Sequence, residues 1–226
     1  VCAYLIYSGA IVLMPQLLQS VYGYTSVWAG LAYAPIGIMP LIIAPLIGRY
    51  NKNIDMRLLV TFSFTVYFIC YHWRSVTFTP TIDFTSIIWP QLIQGFAVAC
   101  CFLPLTTISL AGLSYDKLAS ATSLSNFLRT LSGSVGTSLT MTLWSRRESV
   151  HHAQLTENIN SANPVFEHYI SNLKTAGLST SQALEYINQT ITQQSLLISA
   201  NEIFSVSSYV FLTLTLLVWF AKPYKK

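Results

Sequence analysis

The sequence predicts an all-α integral membrane protein that folds as a bundle of six transmembrane helices. Hydrophobic residues make up 53% of the chain and charged residues only 9%, whereas soluble domains carry about 25% charged residues. The apolar residues are gathered in runs of about 20, the length that a helix needs to cross a hydrocarbon core of roughly 30 Å. Helices are also the only open structures that satisfy all their backbone groups in lipid.

Five of the predicted spans lie in the first 145 residues, at about 1–19, 27–47, 58–73, 87–110 and 119–144. Several contain proline, which membrane bundles tolerate because neighbouring helices re-satisfy the freed carbonyls. Small residues recur at helical spacing in the fourth and fifth spans, as Gly95-x-x-x-Ala99 and Gly133-x-x-Gly136. This pattern is typical of membrane helices that pack closely.

A polar segment, residues 146–201, separates the fifth span from residues 202–226, which hold the last span and a short tail. Within it, Ser179 and Gln182 form a capping-box pattern, followed by apolar residues at helical spacing. We therefore predict an amphipathic helix that leads toward the last span. The segment as a whole is either a solvated connector or a docking surface for another protein.

The orientation follows from the distribution of basic residues. The loops after the second and fourth spans and the C-terminal tail share one side and carry seven basic residues, against four on the other side. Basic residues favour the cytoplasmic side, so the C-terminus is predicted to be cytoplasmic and residues 146–201 external. Because the basic residues are scattered over short loops, the net charge of +4 does not indicate a nucleic-acid partner.

Arg129 is the only charged residue placed well inside a predicted span, with Asn126 one turn before it. Arg74 is assigned to the outer loop after the third span. An intramembrane charge must face a partner or a cavity, so Arg129 is either a structural cation or a substrate-pathway charge. No Asp or Glu lies deep in a span, which leaves Glu202, at the outer end of the last span, as the nearest carboxylate for proton coupling.

The sequence contains no catalytic motif, and neither an enzyme activity nor a cofactor is predicted. All four cysteines fall in apolar runs, which is typical of small buried residues. His151 and His152 are adjacent and therefore diverge by about 100° on a helix. No metal site is predicted.

Two spans carry candidate residues for a substrate cavity. Aromatic and Met side chains form a stripe on the first span, and polar and aromatic side chains occupy the fourth. Packing alone can explain both patterns, but bulky apolar ligands are also recognised by such surfaces. The cavity candidates are Tyr4, Tyr7, Met14, Gln91, Gln94, Phe102, Asn126 and Arg129.

Residues 16–37, QLLQSVYGYTSVWAGLAYAPIG, resemble the drug:proton antiporters of the EmrB/QacA type, which are 14-helix members of the major facilitator superfamily. Further matches are WPQLIQGFAVA at 89–99, RTLSGSVGTS at 129–138 and SANEIF at 199–204. The resemblance covers essentially the whole chain and implies the C-terminal half of such a protein, in the multi-pass arrangement predicted above.

The resemblance also implies a function. The whole protein would export hydrophobic and amphipathic drugs across the bacterial inner membrane in exchange for protons. Its partners would be a periplasmic adaptor and an outer-membrane channel. The coupling carboxylate is then expected in the half that this chain lacks. Two alternatives remain open: an exporter of another small molecule, such as a siderophore or an organic acid, and a non-transporting scaffold subunit.

One family motif is altered in this sequence. Arg49 and Lys52 keep the basic positions of the superfamily's cytoplasmic motif, but Gly48 stands where the family has an acid. Asp55 is at best a displaced substitute. The resemblance therefore gives Arg49, Lys52 and Asp55 as candidates for a cytoplasmic motif whose charge interactions are in doubt.

Overall fold

The computed structural model describes residues 1–50, 56–110, 114–157, 159 and 163–219. Helices account for nearly all of these residues. Eight α-helices lie in these ranges: α1 (Cys2–Ser20), α2 (Ser26–Tyr33), α3 (Pro35–Tyr50), α4 (Met56–Thr77), α5 (Phe84–Leu110), α6 (Tyr115–Glu157), α7 (Pro164–Thr175) and α8 (Thr180–Val218).

The predicted second span is divided between α2 and α3. Helix α2 begins after Thr25, whose side chain accepts a hydrogen bond from the backbone N–H of Trp28. The break falls at Ala34, directly before Pro35, because proline has no N–H for the helical ladder and restricts the residue before it. The two helices together cover the predicted range.

Helices α6 and α8 extend well beyond the predicted spans. They contain 43 and 39 residues, which correspond to roughly 64 and 58 Å at about 1.5 Å per residue. The predicted capping box is confirmed, since Ser179 and Gln182 bond each other's backbone at the start of α8. The amphipathic segment and the last span thus form one helix. The short helix α7, which was not predicted, packs against α8.

The bundle is held by close helix pairs, in which α4 packs against α5 and α8, and α1 packs against α6. Helix α3 likewise packs against α5, and the small residues lie at the contacts of α6 with α1 and of α5 with α3, as predicted. A Cβ on Gly136 would collide with the backbone of Leu5, and one on Gly95 would come within 2.8 Å of the Met39 side chain. The glycines therefore allow the helix axes to approach, and this prediction is confirmed.

Four helical stretches among the described residues are long and apolar enough to cross a membrane: Cys2–Ser20, Ser26–Pro45, Phe84–Thr106 and Thr180–Val218. Helices α4 and α6 are also long enough, with 22 and 43 residues, but both carry more polar side chains. The predicted all-α membrane fold is confirmed. The number of six spans stays a prediction.

Candidate functional site

A cavity of about 600 Å³ lies between α1, α4, α5, α6 and α8, with Arg129 in its wall. Arg129 Nη2 donates a hydrogen bond to Thr106 Oγ1 over 3.1 Å. Its guanidinium carbon lies 4.5 Å from the centre of the Tyr4 ring, a distance at which the ring attracts a cation. The remaining lining is mainly apolar: Val1, Cys2, Ala3, Phe64, Leu105, Ala121, Leu124, Ser125, Leu128 and Leu214.

Three predicted aromatic residues are brought together beside this cavity. The ring centres of Tyr4 and Phe102 are 4.8 Å apart, and those of Tyr7 and Phe102 are 5.2 Å apart. These distances suit offset or edge-to-face aromatic contacts. The structure therefore places Tyr4, Tyr7, Phe102 and Arg129 in one cluster, which we call the Arg129 cluster.

The assignment of Arg74 to an outer loop is wrong. Helix α4 continues past the predicted end at Trp73 to Thr77, and Arg74 is only 1% exposed. Its Nη2 donates a hydrogen bond to Gln91 Oε1 over 2.8 Å. Arg129 is consequently not the only cation that lies within the bundle, and Arg74 on α4 is buried whereas Arg129 is partly exposed.

Stacked aromatic rings surround Arg74. Its guanidinium carbon lies 5.3 Å from the Tyr71 ring centre and 6.0 Å from that of Phe204. Tyr67 and Tyr71 both stack on Phe211, at 4.7 and 5.5 Å between ring centres. The rings come from α4 and α8, so the aromatic stack joins those two helices around the cation.

Gln91 and Gln94 belong to this second cluster rather than to the Arg129 cavity. Both are fully buried, and Gln94 Nε2 donates to Tyr71 Oη over 3.3 Å. We call Arg74, Tyr71, Gln91 and Gln94, with the rings around them, the Arg74 cluster. Neither glutamine lines any of the cavities described here.

The Arg74 cluster contains unsatisfied polar atoms. Within the described part of the chain, Arg74 Nε, Gln91 Nε2 and Gln94 Oε1 are buried without a hydrogen-bond partner. Neither Arg74 nor Arg129 forms an ion pair with a described carboxylate. A buried charge without a counter-charge costs several kcal/mol, so the aromatic rings and the amide of Gln91 carry most of the compensation.

The other predicted residues lie elsewhere. Met14 is fully buried in the core between α1 and its neighbours, and Asn126 is exposed on α6 and does not line the cavity. The motif formed by Arg49, Lys52 and Asp55 lies outside the residues whose side chains the structure describes.

An ion-pair cluster lies where α6 passes α8, at the end of the bundle that the sequence predicts to be external. Arg147 Nε and Nη2 donate to the two carboxylate oxygens of Glu202 over 2.6 and 2.7 Å, and His151 Nε2 lies 3.0 Å from Glu202 Oε1. The hydrogen bond with Glu202 raises the pKa of the Arg147 guanidinium. Three residues earlier on α6, Trp144 Nε1 donates a hydrogen bond to the Leu196 carbonyl of α8 over 2.9 Å.

Comparison with curated proteins places this bundle in a known family. The chain is 68% identical over 222 residues to the "Probable multidrug resistance protein EmrY" of Escherichia coli K12, and 60% identical over 221 residues to the "Multidrug export protein EmrB" of the same strain. Each alignment covers 98% of this chain and 43% of the relative. The chain belongs to the EmrB-type transporters of the major facilitator superfamily.

The EmrB-type relationship extends to other bacteria. The "Fatty acid resistance protein FarB" of Neisseria gonorrhoeae is 47% identical over 220 residues, which cover 97% of this chain and 43% of FarB. No family model matches the sequence. The chain spans less than half the length of these curated relatives, and its helices are those of a multi-pass membrane transporter.

Proposed function

We propose that the full-length protein exports hydrophobic and amphipathic drugs across the bacterial inner membrane in exchange for protons. The observation that carries this proposal is the Arg129 cavity, an apolar space between five helices with a single cation in its wall. Such a cavity suits an apolar molecule that has one polar group. The names of EmrY and EmrB, which share at least 60% of the aligned residues, support the choice of drugs as cargo.

The proposed mechanism is alternating access, in which two halves of the transporter rock around a central site. The described helices would form one half, with the C-terminus in the cytoplasm. Since no described carboxylate lies beside Arg74 or Arg129, we place the proton-coupling carboxylate in the part of the full-length protein outside this chain. Arg129 then serves as the fixed positive charge of the substrate pathway.

The test is dye efflux from whole cells that express the full-length gene, measured with and without an uncoupler of the proton gradient. Arg129→Ala is expected to reduce efflux while the protein still reaches the membrane. Arg146→Ala is the matched control, because Arg146 lies on the same helix but is exposed. Normal efflux in Arg129→Ala would remove this residue from the mechanism, and efflux unaffected by the uncoupler would contradict proton coupling.

A second candidate function is the export of amphipathic organic acids, and two observations favour it. FarB, named for fatty acid resistance, shares 47% of the aligned residues. The bundle also contains a buried arginine, Arg74, and a partly buried one, Arg129, and neither pairs with a described carboxylate. Efflux of a fatty acid that fails in Arg129→Ala, while efflux of a cationic dye continues, would favour organic acids over drugs in general.

We further propose that the external part of α6, α7 and α8 contacts a periplasmic adaptor, which in turn reaches an outer-membrane channel. Val165 and Tyr169 on α7 are 73% and 44% exposed and form an apolar face available to a partner. Val165→Asp with Tyr169→Asp is expected to weaken co-purification of the adaptor, whereas Ser171→Asp on the same helix is not. Unchanged co-purification in the double variant would contradict this contact.

A further inference from the structure

A second cavity, of about 450 Å³, lies in the groove between α1, α6 and α8 and does not include any residue of the Arg129 cluster. Its walls are almost entirely apolar along their length, and the ion pair of Arg147 and Glu202 closes its outer end. The remaining lining residues are Cys2, Leu5, Ile6, Leu139, Thr140, Leu143, Ile203, Val206, Ser207 and Val210. We call this space the outer groove.

The length of the outer groove suits the acyl chain of a lipid in one leaflet. On α8 it extends from Glu202 to Val210, and eight helical steps of about 1.5 Å give a length of roughly 12 Å. One leaflet of a bilayer contributes about half of the 30 Å hydrocarbon core. The outer groove therefore runs from the outer boundary of the predicted spans through most of one leaflet.

The walls of the outer groove face outward from the described bundle. Val206 is 63% exposed, Leu139 48% and Leu143 45%. Exposed apolar side chains of this kind suit contact with the acyl chains of lipids. The outer groove is a recess in this apolar surface, and a hydrocarbon chain can enter it from the side.

The charged side chains at the outer end of the groove determine which lipid headgroup it favours. Arg147 and Glu202 lie side by side with their side chains 46% and 36% exposed, so both retain free hydrogen-bonding capacity toward the bilayer. A phosphate pairs with the guanidinium, while the carboxylate accepts hydrogen bonds from a primary ammonium and repels a purely anionic headgroup. One cation and one anion together complement a zwitterionic headgroup that carries an N–H donor.

We propose that the outer groove binds one phosphatidylethanolamine molecule of the outer leaflet. The acyl chain lies between α1, α6 and α8, the phosphate contacts Arg147 and the ammonium contacts Glu202. The bound lipid fills the gap between the last span and the helices that it packs on. This site is separate from drug export and does not depend on it.

The experiment is native mass spectrometry of the full-length protein, stripped of lipid in detergent and titrated with phosphatidylethanolamine, phosphatidylcholine or phosphatidylglycerol. One phosphatidylethanolamine is expected to be retained about fivefold more strongly than either other lipid. Val206→Trp and Leu143→Trp fill the groove from opposite walls and are expected to abolish that preference. Ile69→Trp is the control, because Ile69 is 49% exposed on α4 and lies outside every cavity described here.

A headgroup variant completes the test. Glu202→Gln removes the negative charge that attracts the ammonium and that pairs with Arg147, so the preference is expected to move toward phosphatidylglycerol. Equal retention of the three lipids, or phosphatidylethanolamine retention unchanged in both groove-filling variants, overturns the proposal. Displacement of the lipid by an exported dye at equal stoichiometry also overturns it and assigns the groove to drugs. If the unsubstituted protein retains phosphatidylethanolamine but exports no dye, the proposed function is contradicted and the lipid site is not.

Discussion

Arg74 and Arg129 have contrasting surroundings. Arg74 lies near the C-terminal end of α4, is 1% exposed and contacts two aromatic rings and Gln91. Arg129 lies in the wall of an open cavity and contacts one ring and one hydroxyl. The difference teaches that a buried cation can join helices or face a ligand, and that its surroundings decide which.

This comparison makes separate predictions for the two regions. Changes in the Arg74 cluster should alter the stability of the bundle, since its atoms are enclosed by α4, α5 and α8. The same chemical changes in the Arg129 cluster should alter transport and leave stability nearly unchanged, since its atoms face a cavity that water or a ligand can enter. Two matched pairs of variants and two single substitutions test this division.

The largest effect is expected for truncation of the arginines. Arg74→Ala removes a large enclosed side chain and the hydrogen bond to Gln91, and it should destabilise the protein by about 3 kcal/mol, the scale of large-to-Ala changes in cores. Arg129→Ala should change stability by less than about 1 kcal/mol. Thermal unfolding of both full-length variants in detergent measures the difference. Equal unfolding temperatures for the two variants would break the comparison.

Arg74→Lys refines this result, because it keeps the charge. An ammonium lacks the planar guanidinium that stacks on Tyr71 and Phe204, so the lysine variant should recover only part of the lost stability. Full recovery would show that charge alone matters at this position, and that the aromatic stack does not distinguish the two cations.

An intermediate effect is expected for removal of one tyrosine hydroxyl from each cluster. The Tyr71 hydroxyl accepts a hydrogen bond from the buried Gln94, so Tyr71→Phe should cost about 1–2 kcal/mol, the range for leaving a buried donor unpaired. The Tyr4 hydroxyl is buried and has no partner among the described residues. Tyr4→Phe should therefore be neutral or slightly stabilising, as chemical denaturation of the two variants would reveal. A larger loss in Tyr4→Phe would contradict this division.

The smallest effect is expected for Thr106→Val. This change removes the hydroxyl that accepts a hydrogen bond from Arg129 Nη2 but keeps the volume of the side chain nearly constant. Because the cavity can supply water in its place, stability should fall by less than about 0.5 kcal/mol. The affinity for exported dye should change more than the unfolding temperature. A shift in unfolding without any change in dye affinity would show that Thr106 serves structure alone.

The sequence predicted the Arg129 cluster better than the Arg74 cluster. Arg129 stands in the middle of an apolar run, and a charge in such a position must face a partner or cavity. Tyr4 and Tyr7 follow from helical periodicity on the first span, and Phe102 was a candidate because the fourth span was expected to line the same cavity. Their joint position still required the structure, because helical spacing gives a face of each helix but does not identify the helix across from it.

Arg74 was missed because it follows Tyr71, His72 and Trp73, a run typical of residues at the membrane boundary. One signal was available: Tyr67, Tyr71, Arg74 and Phe78 recur at four- and three-residue spacing and so share one helical face. Gln91 and Gln94 were identified as polar residues of the fourth span, which is α5, but their partners Arg74 and Tyr71 lie on α4. Pairing between helices depends on tertiary packing, which a single sequence does not contain.

The break between α2 and α3 and the lengths of α6 and α8 are further features that the sequence alone did not predict. The predicted second span contains two prolines besides Pro35, namely Pro40 and Pro45, and periodicity does not say which of the three interrupts the helix. The polar residues after Trp144 predicted an end to the fifth span. They end the apolar stretch but not the helix, since polar residues such as Arg146 form helices readily in water.

Helices α6 and α8 both continue past the predicted outer boundary of the membrane, so a rotation of the bundle is transmitted along them. The Trp144–Leu196 hydrogen bond and the Arg147–Glu202 ion pair join the two helices where they leave the predicted spans. Rotation of the bundle by about 10° would then swing a point some 20 Å farther out by roughly 3–4 Å, a displacement typical of domain-scale switching. A partner bound to α7 would therefore move with each step of the proposed transport cycle without contacting the cargo. A partner that restrained α7 would slow that cycle.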